Sequence, residues 1–198
     1  LVYIADRRFV GFFPSFIKPI QRLRMIRHLK QQILINPNDT SSKYELARLY
    51  MEKKNYKDAN HILIPLQKTM DHSADYWIDL GTTYLYAGQL EQWEQYILQG
   101  LQINARAKYG QPYLVLAEKY SVHNFDKALL YLSKFREIHS SSCEAYYILS
   151  TILNQLGKKQ DAKEALNETF IIYKALPKYK KRQERKWVIK SLIRKLSM

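Results

Sequence analysis

Residues 74–107 read ADYWIDLGTTYLYAGQLEQWEQYILQGLQINARA, and this stretch decides the fold. In its first half, Trp77, Gly81 and Tyr84 lie four and three positions apart. Side chains at that spacing share one face of an α-helix, so this half predicts an amphipathic helix. In its second half, Ile97 belongs to a further apolar run at helical spacing. The stretch therefore predicts two helices that pack closely because Gly81 has no side chain.

The same pattern recurs along the chain. A small residue directly after Leu returns at spacings of 34, 36 and 33 residues. Recurrence at a fixed period of this size is the signature of a repeat architecture, in which each unit buries its apolar face against the next. The recurring positions are Leu46, Ala47, Tyr50, Ala59 and Leu63; Trp77, Leu80, Gly81, Tyr84, Gly88, Trp93 and Ile97; Tyr113, Leu116, Ala117, Tyr120, Ala128 and Leu132; and Tyr146, Leu149, Ser150, Leu153, Gly157, Ala162 and Leu166.

These residues resemble the tetratricopeptide repeat. The resemblance implies an all-α fold, a right-handed superhelical solenoid of antiparallel helix pairs with a C-terminal capping helix. Three residues depart from the family pattern, since Trp93 replaces the usual Ala and Ser150 and Leu153 replace a Gly or Ala and a Tyr, and looser packing is expected there. The resemblance covers four units, residues 40–73, 74–107, 110–142 and 143–176.

Three segments lie outside these units. Residues 16–39 predict a half-repeat helix with Ser15 as N-cap and a break at Pro37. Residues 177–198 predict a basic capping helix, which a solenoid needs to cover its last apolar face. Residues 1–15 begin with an apolar run that leads into Asp6-Arg7-Arg8, a pattern typical of a juxtamembrane segment. An apolar strand or helix start packed on the domain explains that run equally well.

The charge of the chain belongs to its two ends. The net charge is +14, of which residues 1–30 carry +6 and residues 174–198 carry +9, whereas the middle carries −1. Basic ends on a near-neutral middle predict contact with an anionic phospholipid surface or with nucleic acid, and the apolar start of the chain favours the membrane. The residues predicted to face the anionic surface are Arg22, Arg24, Arg27, Lys30, Lys178, Lys180, Lys181, Arg182, Arg185 and Lys186.

No arrangement of residues in the sequence predicts catalysis. The five histidines are scattered without metal-ligand spacing, and no glycine-rich phosphate loop is present. The single cysteine, Cys143, excludes a disulfide framework; its place at a predicted helix N-terminus would lower the pKa of the thiol, but no histidine partner is apparent. We therefore expect a structural thiol, no metal, no cofactor, no small-molecule substrate and no enzymatic activity.

The family resemblance also implies a binding face. In tetratricopeptide proteins the first helices of successive units line a concave groove that receives peptides. A subclass grips a C-terminal carboxylate with Lys and Asn, but Asp79, Thr82, Glu118 and Tyr147 occupy those positions here, so we expect a neutral or basic peptide instead; solvated helix faces are the alternative. The residues that the resemblance places in the groove are Tyr44, Arg48, Asp75, Asp79, Thr82, Tyr86, Gln111, Glu118, Tyr147, Thr151 and Asn154.

Together these observations predict a non-catalytic scaffold or adaptor that binds a peptide or partner protein. Its layout is similar to that of bacterial membrane-anchored tetratricopeptide adaptors, which implies a cytoplasmic location at the membrane face, with anchoring through a segment upstream of Leu1 left open. The alternative from another class is a nucleic-acid-associated protein that uses the basic ends. An enzyme is the third hypothesis.

Overall fold

A computed structural model describes residues 17–88, 92–139 and 141–197. In these ranges the chain is built from α-helices and two short 3-10 segments, Ile64–Leu66 and Ala107–Gly110, without any β-strand. The all-α prediction is therefore confirmed. The helices are α1 Ile17–Ile35, α2 Thr40–Glu52, α3 Tyr56–Leu63, α4 Ala74–Ala87, α5 Trp93–Ile103, α6 Gln111–Tyr120, α7 Phe125–Ile138, α8 Cys143–Gln155, α9 Lys159–Ala175 and α10 Lys178–Ser197.

Short polar side chains fix the starts of several helices. Ser73 accepts a hydrogen bond from the backbone N–H of Tyr76, as expected for the N-cap of α4. For α8, the spacing of Ser141 and Glu144 in the sequence is that of a capping box and predicts Ser141 as the N-cap. The structure has Ser142 in that role, which accepts the backbone N–H of Ala145 over 3.3 Å. The predicted capping box of Ser141 and Glu144 is therefore wrong, because the N-cap of α8 lies one residue later in the chain.

The chain divides into two compact units, Leu1–Tyr96 and Ile97–Met198, and the boundary falls within α5. In the first unit α2 packs on α3 and α3 packs on α4. The small residues Ala47 and Ala59 are fully buried at these contacts, as the repeat pattern predicts. The Trp77 ring stacks on the Tyr96 ring, with centroids 5.6 Å apart. Helix α1 packs on α2 through a cluster that includes Ile26.

The second unit contains the pairs α6–α7 and α8–α9, each joined by a short turn. Ala117 and Ser150, the small residues of the first helices, are fully buried, and so are Ala128 and Ala162 of the second helices. The side chains that fill the contacts are large and apolar, as at Leu166. Helix α10 packs against both α8 and α9, so it covers the end of the last pair.

The connection before α6 has unusual backbone geometry. Lys108, Tyr109 and Gly110 all have positive φ angles, of 48°, 55° and 74°. A Cβ atom on Gly110 would lie 3.0 Å from Cδ1 of Ile138 and 3.4 Å from Cδ2 of Phe135. Glycine is required here both for its left-handed backbone and for the close approach of α7.

The ends of the chain were predicted to contact a membrane. None of the helices in the described ranges combines the length and the apolar character needed to cross a bilayer. The apolar segment 1–15 and its proposed helix cap, Ser15, lie outside the described residues.

Candidate functional site

In the first unit, a partly buried hydrogen bond joins the predicted binding faces of α2 and α4. The Tyr44 hydroxyl donates to Oδ2 of Asp79 over 2.8 Å. Burial, followed by the charge of Asp79, raises the pKa of Tyr44 well above its usual value, so the phenol stays protonated. Asp79 itself is only 3% exposed. These two side chains therefore bond to each other and hold the two helices side by side.

The exposed part of this face surrounds the Tyr44–Asp79 pair. Arg48 is exposed and its guanidinium lies over the Tyr44 ring, 6.0 Å from the centroid. Asp75 is exposed, and Tyr86 is 43% exposed while its ring stacks on Tyr56 at 4.9 Å. Thr82 is half-buried, and its hydroxyl donates to the backbone of its own helix. A partner can thus contact a cation, a carboxylate and an aromatic ring on this unit.

In the second unit, α10 lies against the predicted binding face of α8. The Tyr147 and Trp187 rings are 5.4 Å apart, and Arg194 donates a hydrogen bond to the Thr151 hydroxyl. Asn154 is exposed. A cavity of about 240 Å³ remains between α6, α8 and α10. Its lining consists of Glu118, Ser121, Tyr147, Ile148, Thr151, Trp187, Lys190 and Arg194.

Two partly buried carboxyl groups lie where α10 meets the start of α8. Burial raises the pKa of Glu144, and the charge of Glu184 adds to this effect whereas Lys186 opposes it. Burial also raises the pKa of Glu184, against the stabilising effect of the backbone N–H groups of Glu144 and Cys143. One carboxylate oxygen of Glu184, Oε2, is buried without a hydrogen-bond partner among the described residues. The neutral form of these groups is therefore favoured more than in water.

The expectation that its position at a helix N-terminus lowers the pKa of the Cys143 thiol is wrong. Cys143 is the first residue of α8, but its side chain is fully buried. Burial and the nearby Glu184 raise the pKa of Cys143 to about 12. Its Sγ lies 3.6 Å from the carbonyl oxygen of Thr169, the geometry of a weak S–H donor. Desolvation outweighs the helix N-terminus here, because it acts on the whole thiolate charge.

The residues predicted to face an anionic surface lie on α1 and α10. Arg22 forms an ion pair with Glu52, over 2.8 Å, whereas Arg24, Arg27 and Lys30 are exposed. On α10 two of the predicted cations are half-buried, Lys180 and Lys181, and four are exposed, Lys178, Arg182, Arg185 and Lys186.

Several cations of the chain lie over aromatic rings. Lys30 lies 5.7 Å from the centroid of the Tyr50 ring, and Arg136 lies 5.0 Å from that of Tyr146.

The second half of α10 carries an exposed apolar face, which was not among the predicted site residues. Four large apolar side chains on its outward side are at least half exposed. Their spacing of three and four residues places them on one face of the helix, opposite the fully buried Ser191. These residues, named the α10 outer face, are Ile189, Leu192, Ile193 and Leu196.

Sequence reasoning also missed Lys190 and Arg194 as site residues. Together with Trp187 they recur at three- and four-residue spacing, so one face of the terminal helix was readable from the sequence. The missing information was which helix that face contacts. Among the described residues, no group of three or more His, Cys, Asp or Glu side chains is placed to hold a metal ion.

The chain is a helical-repeat protein. Its helices pack in pairs around small buried residues, and the first helix of each pair carries polar and aromatic side chains on its exposed face. The family model for the tetratricopeptide repeat matches residues 74–106 and 144–168. This match confirms tetratricopeptide repeats in these two stretches, as the repeat positions predicted. No curated protein matches the sequence.

Solved structures of tetratricopeptide solenoids share this fold. MamA has 18% sequence identity and a TM-score of 0.69, and the match covers 82% of this chain and 97% of MamA. YrrB, described as a tetratricopeptide protein with an unusual peptide-binding site, has 15% identity and a TM-score of 0.62 over 78% of this chain and 79% of YrrB. A thermophilic tetratricopeptide protein from Thermus thermophilus, TTC0263, has 17% identity and a TM-score of 0.60 over 91% of this chain and 93% of its own. The predicted solenoid fold class is confirmed by these matches.

Proposed function

We propose that the protein is a non-catalytic scaffold that binds a peptide or a partner protein on the first-helix faces of its repeats. The tetratricopeptide repeats support an interaction scaffold, and the peptide-binding site in the description of YrrB supports a peptide as one kind of ligand. The observation that carries the proposal is the Tyr44–Asp79 bond. It fixes α2 beside α4, so that the binding surface is already formed before a partner arrives. The entropy lost by ordering side chains on binding is therefore small.

The exposed groups in the first unit favour a neutral or basic segment. Asp75 can accept hydrogen bonds from a Lys, an Arg or a backbone N–H of the ligand. The partly exposed ring of Tyr86 offers an apolar surface with a polar tip, a combination that is common in binding surfaces.

A capture experiment tests this proposal. The immobilised protein and its Tyr86→Ala and Asp75→Asn variants are incubated with a lysate of the source organism, and captured proteins are quantified by mass spectrometry. Tyr179→Ala, which removes another exposed tyrosine, on α10, is the matched control. We expect a partner that is lost with both unit 1 variants and retained with the control, while the melting curve stays cooperative. Equal capture by all four proteins would contradict binding at this face.

We further propose that the scaffold works at an anionic membrane surface, which it contacts through α10. The α10 outer face is apolar, and Lys178, Arg182, Arg185 and Lys186 are exposed on the same helix. Insertion of apolar side chains combined with attraction of Lys and Arg to anionic lipid is the mode of interfacial helices. Each basic residue near the surface contributes about 1 kcal/mol. Nucleic acid, the alternative anionic partner, would leave the apolar side chains unused.

Sedimentation with vesicles separates these two partners. We expect the protein to sediment with phosphatidylcholine vesicles that contain phosphatidylserine, and much less with phosphatidylcholine alone. The double variant Ile189→Ser, Ile193→Ser keeps every charge and should lose vesicle binding. If this variant binds vesicles as the wild type does, or if single-stranded RNA binds tightly while vesicles do not, the membrane proposal is wrong and the nucleic-acid alternative gains.

A further inference from the structure

The cavity between α6, α8 and α10 has the chemistry of an anion site. Its lining includes two cations, Lys190 and Arg194, and one carboxylate, Glu118, which is exposed. We propose that this cavity binds a carboxylate group carried by a peptide segment of a partner protein. The inference rests on the proposed scaffold function and adds the chemical class of one ligand group.

The two cations are held in place without being neutralised. Nζ of Lys190 lies 4.3 Å from the centroid of the Trp187 ring, and Cζ of Arg194 lies 4.8 Å from that of Tyr147. An aromatic ring attracts a cation but carries no net charge, so the positive charge persists. Neither cation forms an ion pair with a carboxylate in the described part of the chain.

The donors on these side chains are not used up by the contacts that position them. Arg194 donates one Nη1 hydrogen bond to Thr151, and a guanidinium has five N–H donors in a planar fork. Lys190 contributes an ammonium group whose position is set by the aromatic ring instead of by an acceptor. A carboxylate fits this pair because it accepts several charge-assisted hydrogen bonds at once.

The size of the cavity selects a single amino-acid group. Its volume of about 240 Å³ lies below the range of roughly 300–1,000 Å³ that is typical of small-molecule sites. A nucleotide is disfavoured for a second reason, because Lys190 and Arg194 lie over the Trp187 and Tyr147 rings on which a base would have to stack. An acidic side chain, or the C-terminal carboxylate of a peptide, matches both the volume and the charge.

The repeat helices alone do not indicate an anion site, because they contribute no cation to the cavity. At this end of the unit α6 and α8 contribute Glu118, Tyr147 and Thr151 to the lining, and none of these is a cation. Both positive charges come from α10, which lies against the face of α8. The terminal helix is therefore part of the binding surface as well as a cap.

Peptide titrations followed by NMR test the proposal and its two sources of carboxylate. The probes are three acetylated tetrapeptides: Ala-Ala-Glu-Ala amide, Ala-Ala-Gln-Ala amide and Ala-Ala-Gln-Ala with a free C-terminus. We expect one or both carboxylate peptides to shift the indole N–H signal of Trp187, which a Trp187→Phe variant assigns. The neutral amide should bind about tenfold more weakly, the loss that one charge-assisted hydrogen bond gives. Comparison of the two carboxylate peptides identifies the source.

Four substitutions make the test specific. Lys190→Gln should weaken binding of the carboxylate peptide about tenfold. Arg194→Lys keeps the charge and should retain most of the binding, even if the contact with Thr151 changes. Glu118→Gln removes the competing negative charge and should strengthen binding. Lys159→Gln removes an exposed charge on α9 outside the lining of the cavity and is the matched control, for which no change is expected.

The proposal would be overturned by equal binding of the neutral and carboxylate peptides, by wild-type affinity in Lys190→Gln, or by the absence of any shift at Trp187 at millimolar peptide. Weaker binding in Glu118→Gln would indicate a basic ligand and would also refute it. The proposed scaffold function is tested separately in the first unit. If partner capture still depends on Tyr86 and Asp75 while the peptides fail, only the carboxylate site is wrong.

Discussion

Replacement of Gly110 by Ala should destabilise the second unit more than the same change at Gly157. Both glycines have left-handed backbones, with φ of 74° and 75°. Alanine in this region costs about 1 kcal/mol at either position. A Cβ at Gly157 would meet no atom within 4 Å, whereas one at Gly110 would lie 3.0 Å from Cδ1 of Ile138 and 3.4 Å from Cδ2 of Phe135.

The two neighbours of Gly110 differ in how far they can yield. Ile138 is half-buried and its Cδ1 is the flexible end of the side chain, so it can turn away. Phe135 is only 1% exposed and has no space to move into. Overpacking of this kind costs about 1–3 kcal/mol. We therefore expect a loss of about 1 kcal/mol for Gly157→Ala and about 2–4 kcal/mol for Gly110→Ala.

Urea unfolding followed by far-UV circular dichroism measures this difference, and both positions lie in the same unit. The Ile138→Val background is the control, because valine lacks Cδ1, so the excess cost of Gly110→Ala that remains in this background comes from Phe135. Equal destabilisation by the two alanine substitutions would refute the reasoning, since it would mean that α7 does not approach the backbone at Gly110. Loss of the excess in the Ile138→Val background would assign the clash to Ile138 and not to Phe135.

Three further changes test the packing and the electrostatics. Gly81→Val should destabilise the first unit by about 3 kcal/mol, because Gly81 is buried and the larger side chain would overpack its surroundings; an unchanged melting temperature would contradict this. Because burial raises the pKa of Glu184, its contribution to stability is largest below about pH 4.3 and is lost as pH rises through the raised pKa. Glu184→Gln should therefore gain stability relative to the wild type as the pH rises from about 4.5 to about 7. Glu168→Gln, at an exposed site, is the control, for which no such gain is expected. If the stability of Glu184→Gln and of the wild type changed with pH in the same way, a buried carboxyl would be contradicted. Cys143 should react with iodoacetamide at about pH 8 only after unfolding, and rapid native labelling would show that the thiol is accessible.

The core of the fold could be predicted from the sequence because its determinants are local. Four small residues recur at nearly constant spacing, and all four are buried: Ala47, Gly81, Ala117 and Ser150. The helical spacing of apolar residues and the position of a small residue can be read from a short stretch of sequence, and together they limit how two neighbouring helices can pack. Trp93, which replaces the usual Ala, is half-buried, and the looser packing expected at that position stays a prediction.

The candidate sites were harder to predict because they depend on which residues face each other across elements. The spacing of Tyr147 and Thr151 places them on one face of α8, but nothing local states that α10 lies against that face. Likewise Asp79 has the spacing of a groove residue, and only the tertiary structure reveals its bond to Tyr44. Cys143 shows the same difficulty for electrostatics, since its burial is set by α9 and α10 and not by its own helix.

The positions of Lys30 over Tyr50, Arg136 over Tyr146 and Lys190 over Trp187 have a consequence for long-range behaviour. A carboxylate paired with each cation would cancel its electric field within a few ångströms. An aromatic ring has a quadrupole but no net charge, so it leaves the charge of the cation uncancelled. Tyrosine-rich packing thus lets the chain anchor its basic side chains and still project their charge into solution. Approaching anionic molecules are therefore attracted from about a Debye length, roughly 8 Å at physiological salt, before any contact forms.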